Sequence, residues 1–205
     1  LNLNTGSYNT AVGYLALEEN TSGQYNTSVG SQALWANTTA SGSTGVGYKA
    51  LFVNQTGASN TAIGYEAAVA TTASYITAVG YQALLSDTTG GYNLGIGVTA
   101  GRNITTGARN VALGNEALYS ATTGTDNTGL GSQAMSQLST GSYNTAVGRN
   151  ALKATASGTK NTGVGYHALE ENTANNNTAV GYEALTANTT GYNNTAVGYM
   201  AASGV

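Results

Sequence analysis

The sequence predicts an all-β fold, a parallel β-solenoid of twelve coils with a seventeen-residue repeat. An aliphatic residue followed by glycine recurs along the whole chain, and nine of the eleven spacings are seventeen residues while two are sixteen. The chain has 29 glycines but no proline and no cysteine, and only 7% of its residues are charged while 40% are apolar. This is too apolar for a chain that stays disordered. A repeat this short buries a core only when its copies stack, so it indicates a solenoid.

The recurring glycine defines a register, and we number it position 0 in every coil. The twelve glycines are Gly13, Gly30, Gly47, Gly64, Gly80, Gly97, Gly114, Gly131, Gly148, Gly165, Gly181 and Gly198. The consensus, which begins at position −4, is NTAVGYxALxxNTTGxx. Helical arrays repeat at about 33 to 47 residues and leucine-rich repeats at about 20 to 29. Seventeen residues therefore favour a short all-β coil.

The segment NTAVG is predicted to be extended because its residues are small or β-branched. We expect two short strands and two turns in each coil, with glycines at the positions that need a positive φ. The alternative is one amphipathic turn of helix over GYxALxxN. Eight residues with glycine at one end are too few for a stable helix.

Three columns of equivalent positions are candidates for the core. Position −1 is a branched aliphatic in all twelve coils, position +3 is alanine in all twelve, and position +4 is leucine in eight. Side chains alternate between the two faces of a strand, so we expect positions −1 and +3 to point inward together. Position +4 then turns the corner into the core.

Two further columns carry asparagine and small residues. Position −4 is asparagine in ten coils, and we expect these amides to bond from coil to coil and to close a turn. Position −2 is always alanine, serine or glycine. This small column allows two interpretations: a flat strip that another subunit approaches closely, or filling for a narrow coil interior.

The segment NTAVGYEALTANTTGYNNTAVGY at residues 177–199 resembles the repeat regions of trimeric fibre and adhesin proteins. It is similar to the head domains of trimeric autotransporter adhesins and more closely to the shafts of phage tail-fibre-like proteins. The resemblance covers all twelve coils and implies a left-handed β-roll that assembles as a homotrimer. The adhesin head repeats are shorter than seventeen residues, so the coil outline is expected to differ from theirs.

The resemblance also sets expectations for organisation and location. We expect residues 1–205 to form a single solenoid domain that is a fragment of a longer fibre protein, in an extracellular, cell-surface or virion fibre. The sequence has no apolar run of about eighteen residues, so we expect no membrane insertion. The net charge is −3, and no basic stripe indicates a nucleic-acid partner.

Aromatic residues form the candidate ligand or subunit surface. Seven tyrosines occupy position +1 and five occupy position −5, while Trp35 and Phe52 share position +5 in adjacent coils. The tyrosines at position +1 are Tyr14, Tyr48, Tyr65, Tyr81, Tyr166, Tyr182 and Tyr199. Such columns can close the coil ends, line a subunit seam or present aromatic faces to sugar rings. An apolar patch such as that of Trp35 and Phe52 is more typical of a subunit contact than of a ligand site.

No set of residues with catalytic spacing is present, and we expect neither an enzyme nor a cofactor or metal site. The only histidine, His167, occupies the variable position +2 and is expected to be exposed. The pairs Glu18–Glu19 and Glu170–Glu171 are nine coils apart and cannot act together. Each Gly-x-Gly lies within the repeat and not at the start of a helix, so nucleotide binding is not indicated.

The leading functional hypothesis is a structural and adhesive segment of a trimeric surface or tail fibre. Such a segment mediates host or cell-surface recognition, with glycans or a host receptor as candidate partners besides the two other copies of the chain. The alternative is an ice-binding solenoid, suggested by threonine at position −3 in ten coils. A polysaccharide-cleaving enzyme would need paired carboxylates on neighbouring coils, and the sequence has none.

Overall fold

The computed structural model describes residues 5–204 as a continuous stack of coils. Each coil contributes one three-residue strand, and coil n contains strand βn. The strands are β1 Thr10–Val12, β2 Thr27–Val29, β3 Thr44–Val46, β4 Thr61–Ile63, β5 Thr77–Val79, β6 Leu94–Ile96, β7 Val111–Leu113, β8 Thr128–Leu130, β9 Thr145–Val147, β10 Thr162–Val164, β11 Thr178–Val180 and β12 Thr195–Val197. They form one parallel sheet in chain order. The predicted all-β parallel solenoid is confirmed.

Equivalent positions pair throughout the sheet. Thr10 lies opposite Thr27, and Val12 lies opposite Val29. The register survives the first of the two sixteen-residue spacings, where Thr61 pairs with Thr77. The missing residue in such a coil is therefore absorbed away from the strand. The helical alternative is wrong, since residues 5–204 contain no helix.

The second side of each coil is a hydrogen-bonded turn and not a second strand, so the expectation of two strands per coil is wrong. Positions +2 and +4 have left-handed backbone, as at Gln32 (φ 58°) and Leu34 (φ 48°). Hydrogen bonds still run between coils, for example from Leu34 N to Ala50 O at 2.9 Å. Because the left-handed residues interrupt the strand alternation, the neighbouring positions +3 and +4 both point inward.

The interior is a thin column of alanine, leucine and small residues. Ala62 at position −2, Ala67 at position +3 and Leu84 at position +4 are all fully buried. The small residues at position −2 therefore fill a narrow interior, and the interpretation as an external strip is wrong. The fit is close, since a Cβ added to Gly95 would lie 2.8 Å from Leu84 Cγ.

The branched aliphatics at position −1 point outward, which corrects the expectation that they form the core with position +3. Ile63 is 42% exposed, and Val197 is 69% exposed. Between positions −1 and +3 lies the glycine at position 0, whose φ is +135° at Gly97. This conformation interrupts the alternation of side chains along the strand. The inward direction of the side chain at position +3 therefore does not determine the direction of the side chain at position −1.

The asparagines at position −4 form the predicted ladder. Asn127 donates from its backbone N at 3.0 Å and from Nδ2 at 3.1 Å to Asn110 Oδ1. Its Nδ2 also donates to Gly141 O at 2.9 Å. Each buried amide thus bonds to two neighbouring coils and satisfies backbone groups that the turn leaves unpaired.

Within residues 5–204 no helix is long and apolar enough to cross a membrane.

Candidate functional surfaces

The outward face of the sheet carries two regular columns. Threonine at position −3 is partly exposed in strands such as β3 and β9. The aliphatic at position −1 lies beside it and remains exposed in the middle of the stack, at Leu113 and Leu130. We call the outward side chains at positions −3 and −1 the sheet face. Because every strand pairs in the same register, equivalent side chains follow one another along it.

The tyrosines at position +1 extend the sheet face around the corner made by the glycine. All seven are exposed, from Tyr48 at 37% to Tyr199 at 75%. Their rings stack between coils, with centroids 5.1 Å apart for Tyr48–Tyr65 and 5.2 Å apart for Tyr166–Tyr182. Tyr14 has no stacking partner in the next coil, where position +1 is Ser31. The stacked phenols give an aromatic border parallel to the aliphatic column.

Position −5 carries two pairs of stacked tyrosines and one charged pair. Tyr75 and Tyr92 stack with centroids 5.0 Å apart. In the next two coils the same position carries Arg109 and Asp126. Arg109 donates from Nε to Asp126 Oδ1 at 2.7 Å and from Nη2 to Asp126 Oδ2 at 2.8 Å. This bidentate hydrogen bonding with Arg109 holds the pKa of Asp126 below its ordinary value. The pair is exposed, so its contribution to stability is small.

The predicted aromatic patch at position +5 is present. Trp35 and Phe52 stack with centroids 5.0 Å apart and an interplanar angle of 12°. Trp35 Nε1 donates to Glu18 Oε2 at 2.8 Å, and Lys49 Nζ lies 5.3 Å from the Phe52 ring centroid. The patch is therefore edged by an acid and a base that are both engaged with it.

His167 is half-buried and not freely exposed, which corrects the expectation for that position. Its Nδ1 is hydrogen-bonded to Glu170 Oε2, and its Nε2 lies 3.2 Å from Asn150 Nδ2. Glu170 also lies 3.9 Å from Lys153 Nζ. These contacts explain His167 as part of a polar cluster within the repeat. Among residues 5–204, no group of three or more histidine, aspartate or glutamate side chains could hold a metal ion.

A groove of about 600 Å³ crosses coils 5 to 9 on the side that carries positions +2, +5 and +6. Sequence analysis did not predict this groove. Its walls are polar and charged. The lining residues include Gln82, Arg102, Glu116, Tyr119, Gln133, Ser136, Gln137 and Lys153.

One short side chain interrupts the column of position +5 along the groove. Position +5 carries Arg102, Tyr119, Ser136 and Lys153 in four successive coils. Ser136 is 8% exposed and lines the groove where its neighbours in the column project large side chains. The result is a slot bounded by Tyr119 on one side and Lys153 on the other.

Hydrogen bonds position the groove's polar side chains. Gln133 Nε2 donates to Glu116 Oε2 at 2.7 Å, and Arg102 Nε donates to Gln82 Oε1 at 3.2 Å. The Arg102 guanidinium carbon lies 5.9 Å from the Tyr119 ring centroid. Arg102 therefore contacts the Tyr119 ring, and the slot over Ser136 lies in the next coil beyond that ring.

The repeat departs from its consensus in the same coils. At position +7 the usual asparagine is replaced by Ile104, Ala121 and Leu138, all of them buried. Position +4 of coil 8 is Met135 instead of leucine. These departures were the available signal for the groove, but they become informative only when equivalent positions are compared across coils.

Comparisons of the chain with protein-family models, with curated proteins and with solved structures find no match.

Proposed function

We propose that this chain is a structural and adhesive segment of a trimeric surface or tail fibre that mediates host or cell-surface recognition. In this proposal it is not an enzyme, and it acts outside the cell or on a virion. The observation that carries the proposal is the sheet face, where a branched aliphatic points outward in every coil of the stack.

An apolar column that every coil leaves at least partly exposed calls for a partner. Soluble monomers rarely leave contiguous apolar surface of more than a few hundred Å² exposed. With a rise of about 4.8 Å per coil, the column at position −1 is roughly 50 Å long, and the tyrosines at position +1 widen it. A second copy of the chain has a column of the same length and the same spacing, so it fits this stripe along its whole length.

The resemblance to trimeric fibre proteins supports three copies around one axis. A rod of three solenoids that bury their sheet faces against each other holds a distal binding site away from its base. It also presents every outward groove in triplicate, which raises the apparent affinity for a surface that carries many ligands.

The solution mass of the purified segment tests self-association. We expect light scattering to give about three times 20.5 kDa. Replacing Val79, Leu113 and Val147 by lysine places charges on the sheet face and is expected to give monomers, because unpaired buried charge opposes association. The matched control replaces Thr89, Thr106 and Thr123 by lysine, which adds equal charge at exposed positions on another side of the coil.

A monomer or dimer mass for the unmodified segment would contradict the trimer. If the threonine control dissociated as readily as the sheet-face variant, net charge and not the sheet face would be responsible. Circular dichroism on both variants verifies that the solenoid persists.

A second candidate function, ice binding, is favoured by one specific observation. On the sheet face the threonines at position −3 and the aliphatics at position −1 form two parallel columns with the spacing of the coils. Such a lattice can order surface water. Measurement of thermal hysteresis and ice-crystal shape tests this function. Trimer formation through the sheet face would bury the lattice, so the two functions predict opposite states for the same surface.

A further inference from the structure

We propose that the groove over Ser136 binds a single pyranose ring of a surface glycan, stacked on Tyr119. This inference rests on the proposed adhesive function and assigns it a site. The groove is the place in the described chain where an aromatic ring, an unfilled slot and a set of polar side chains meet.

The coil spacing fits a ring in the slot. Trp35 and Phe52 occupy the same position +5 in adjacent coils, and their rings stack with centroids 5.0 Å apart. A ring above Tyr119 at this separation lies at the level of coil 8, where Ser136 provides no large side chain. The next large residue is Lys153, two coils from Tyr119 and therefore about 10 Å away. The slot accommodates one ring and no more.

The polar groups around the slot match the chemistry of vicinal hydroxyls. Each sugar hydroxyl both donates and accepts, so it needs acceptors and donors close together. Glu116 supplies a carboxylate acceptor that Gln133 already orients at 2.7 Å. Gln137, Lys153 and the Ser136 hydroxyl line the same groove as donors. Apolar C–H groups of a pyranose face contact an aromatic ring favourably, while its hydroxyls reach the rim.

The charges disfavour other ligands. Lys153 is 3.9 Å from Glu170, and Arg102 contacts Tyr119 and Gln82, so the groove offers no free pair of cations for a phosphate. Glu116 adds a negative charge to the same wall. The lining is too polar for an apolar peptide anchor. A neutral sugar is therefore the ligand class that the groove fits best.

Saturation-transfer NMR with the methyl glycosides of glucose, galactose, mannose and N-acetylglucosamine tests the site. We expect at least one glycoside to receive saturation at the ring protons of one face. Ser136→Tyr fills the slot with a ring and is expected to abolish the transfer. Tyr119→Ala removes the stacking surface and is expected to weaken binding roughly tenfold. The control is Thr186→Tyr, which adds the same side chain at position +5 of coil 11, away from the groove.

The outcomes separate this site from the fibre function. No transfer to any of the four glycosides overturns the sugar site, while the trimer mass still decides the fibre proposal. Transfer that survives Ser136→Tyr, or that Thr186→Tyr abolishes equally, also overturns it, because binding then lies elsewhere. Loss with Ser136→Tyr alone, in a protein with unchanged mass and circular dichroism, supports it.

Discussion

Asp87 is a buried ionisable residue in an asparagine column. It occupies position +7, which is asparagine at Asn54 and Asn172, and it is fully buried. Burial raises the pKa of its carboxyl from 3.8 to about 7, against hydrogen bonds from Asn93 Nδ2 at 2.8 Å and Gly90 N at 3.1 Å that lower it. The carboxyl is therefore mostly neutral below about pH 7 in the folded protein.

We expect the stability of the protein to fall as the pH rises from about 4 to about 7 because of Asp87. The folded state holds this proton more tightly than the unfolded chain, so the contribution is full below pH 3.8 and is lost above about pH 7. At about 1.4 kcal/mol per pKa unit, the loss is roughly 4 kcal/mol. Thermal melts at pH 4.5 and pH 8 measure it.

Asp87→Asn is the matched variant for this pH effect. It restores the residue of equivalent coils, where Asn54 Nδ2 donates to Gly57 O at 2.8 Å. The variant should melt at a higher temperature than the natural protein at pH 8 and should lose most of the difference between the two pH values. An unchanged pH profile in the variant would show that other groups cause the effect.

At the scale of the element, each three-residue strand is divided between two functions. In β2 to β11 the middle residue is buried, as Ala78 and Ala146 are, while the outer two residues form the sheet face. The glycine that follows turns the chain sharply. A Cβ added to Gly97 would lie 2.6 Å from Gly114 O. The glycine ladder is therefore required by the approach of neighbouring backbones, and the φ of +135° adds strain for any other residue.

Gly97→Ala is expected to lower the free energy of unfolding by about 2–4 kcal/mol, since both the contact and the φ oppose a Cβ. Gly129→Ala is the internal control. It lies at position −2, where the column accepts alanine and the nearest neighbour of an added Cβ is 3.4 Å away. We expect it to be neutral or to stabilise by about 0.5–1 kcal/mol. Denaturant titration compares the two, and equal losses would contradict a special role for position 0.

The coil period, the asparagine ladder and the buried positions +3 and +4 could be predicted from the sequence because each is a repeated, local property. Whether the side chain at position −1 points inward or outward could not be predicted. The alternation of side chains along a strand is interrupted by a glycine with a φ of +135°, such as Gly97. The groove could not be predicted either. In the sequence nothing distinguishes Ser136 from other serines. Its role becomes visible only when the fold places Tyr119 and Lys153 on both sides of it.

Residues 5–204 behave as a one-dimensional stack in which each strand contacts only the strands of the neighbouring coils. Stability in such a stack is roughly a sum of coil and interface terms. A change that preserves the register should therefore cost less than a smaller change that breaks it.

Deleting residues 31–47 removes one coil and joins Gly30 to Tyr48 in register. We expect a shorter rod that still melts cooperatively, at a slightly lower temperature. Deleting residues 31–38 removes fewer residues but offsets β2 from β3, and it should lower the melting temperature more. Melts followed by circular dichroism distinguish the two, and the reverse order would argue against additive stacking.

The hydrogen bonds between coils run along the long axis of the solenoid. Tension applied at the two ends of a fibre would load these bonds in series, one coil after another, instead of shearing them all at once. A coil that yields lengthens from about 4.8 Å to roughly 55 Å of extended chain. In the proposed adhesive fibre, this stepwise elongation would absorb a sudden load before the attachment to the target surface fails.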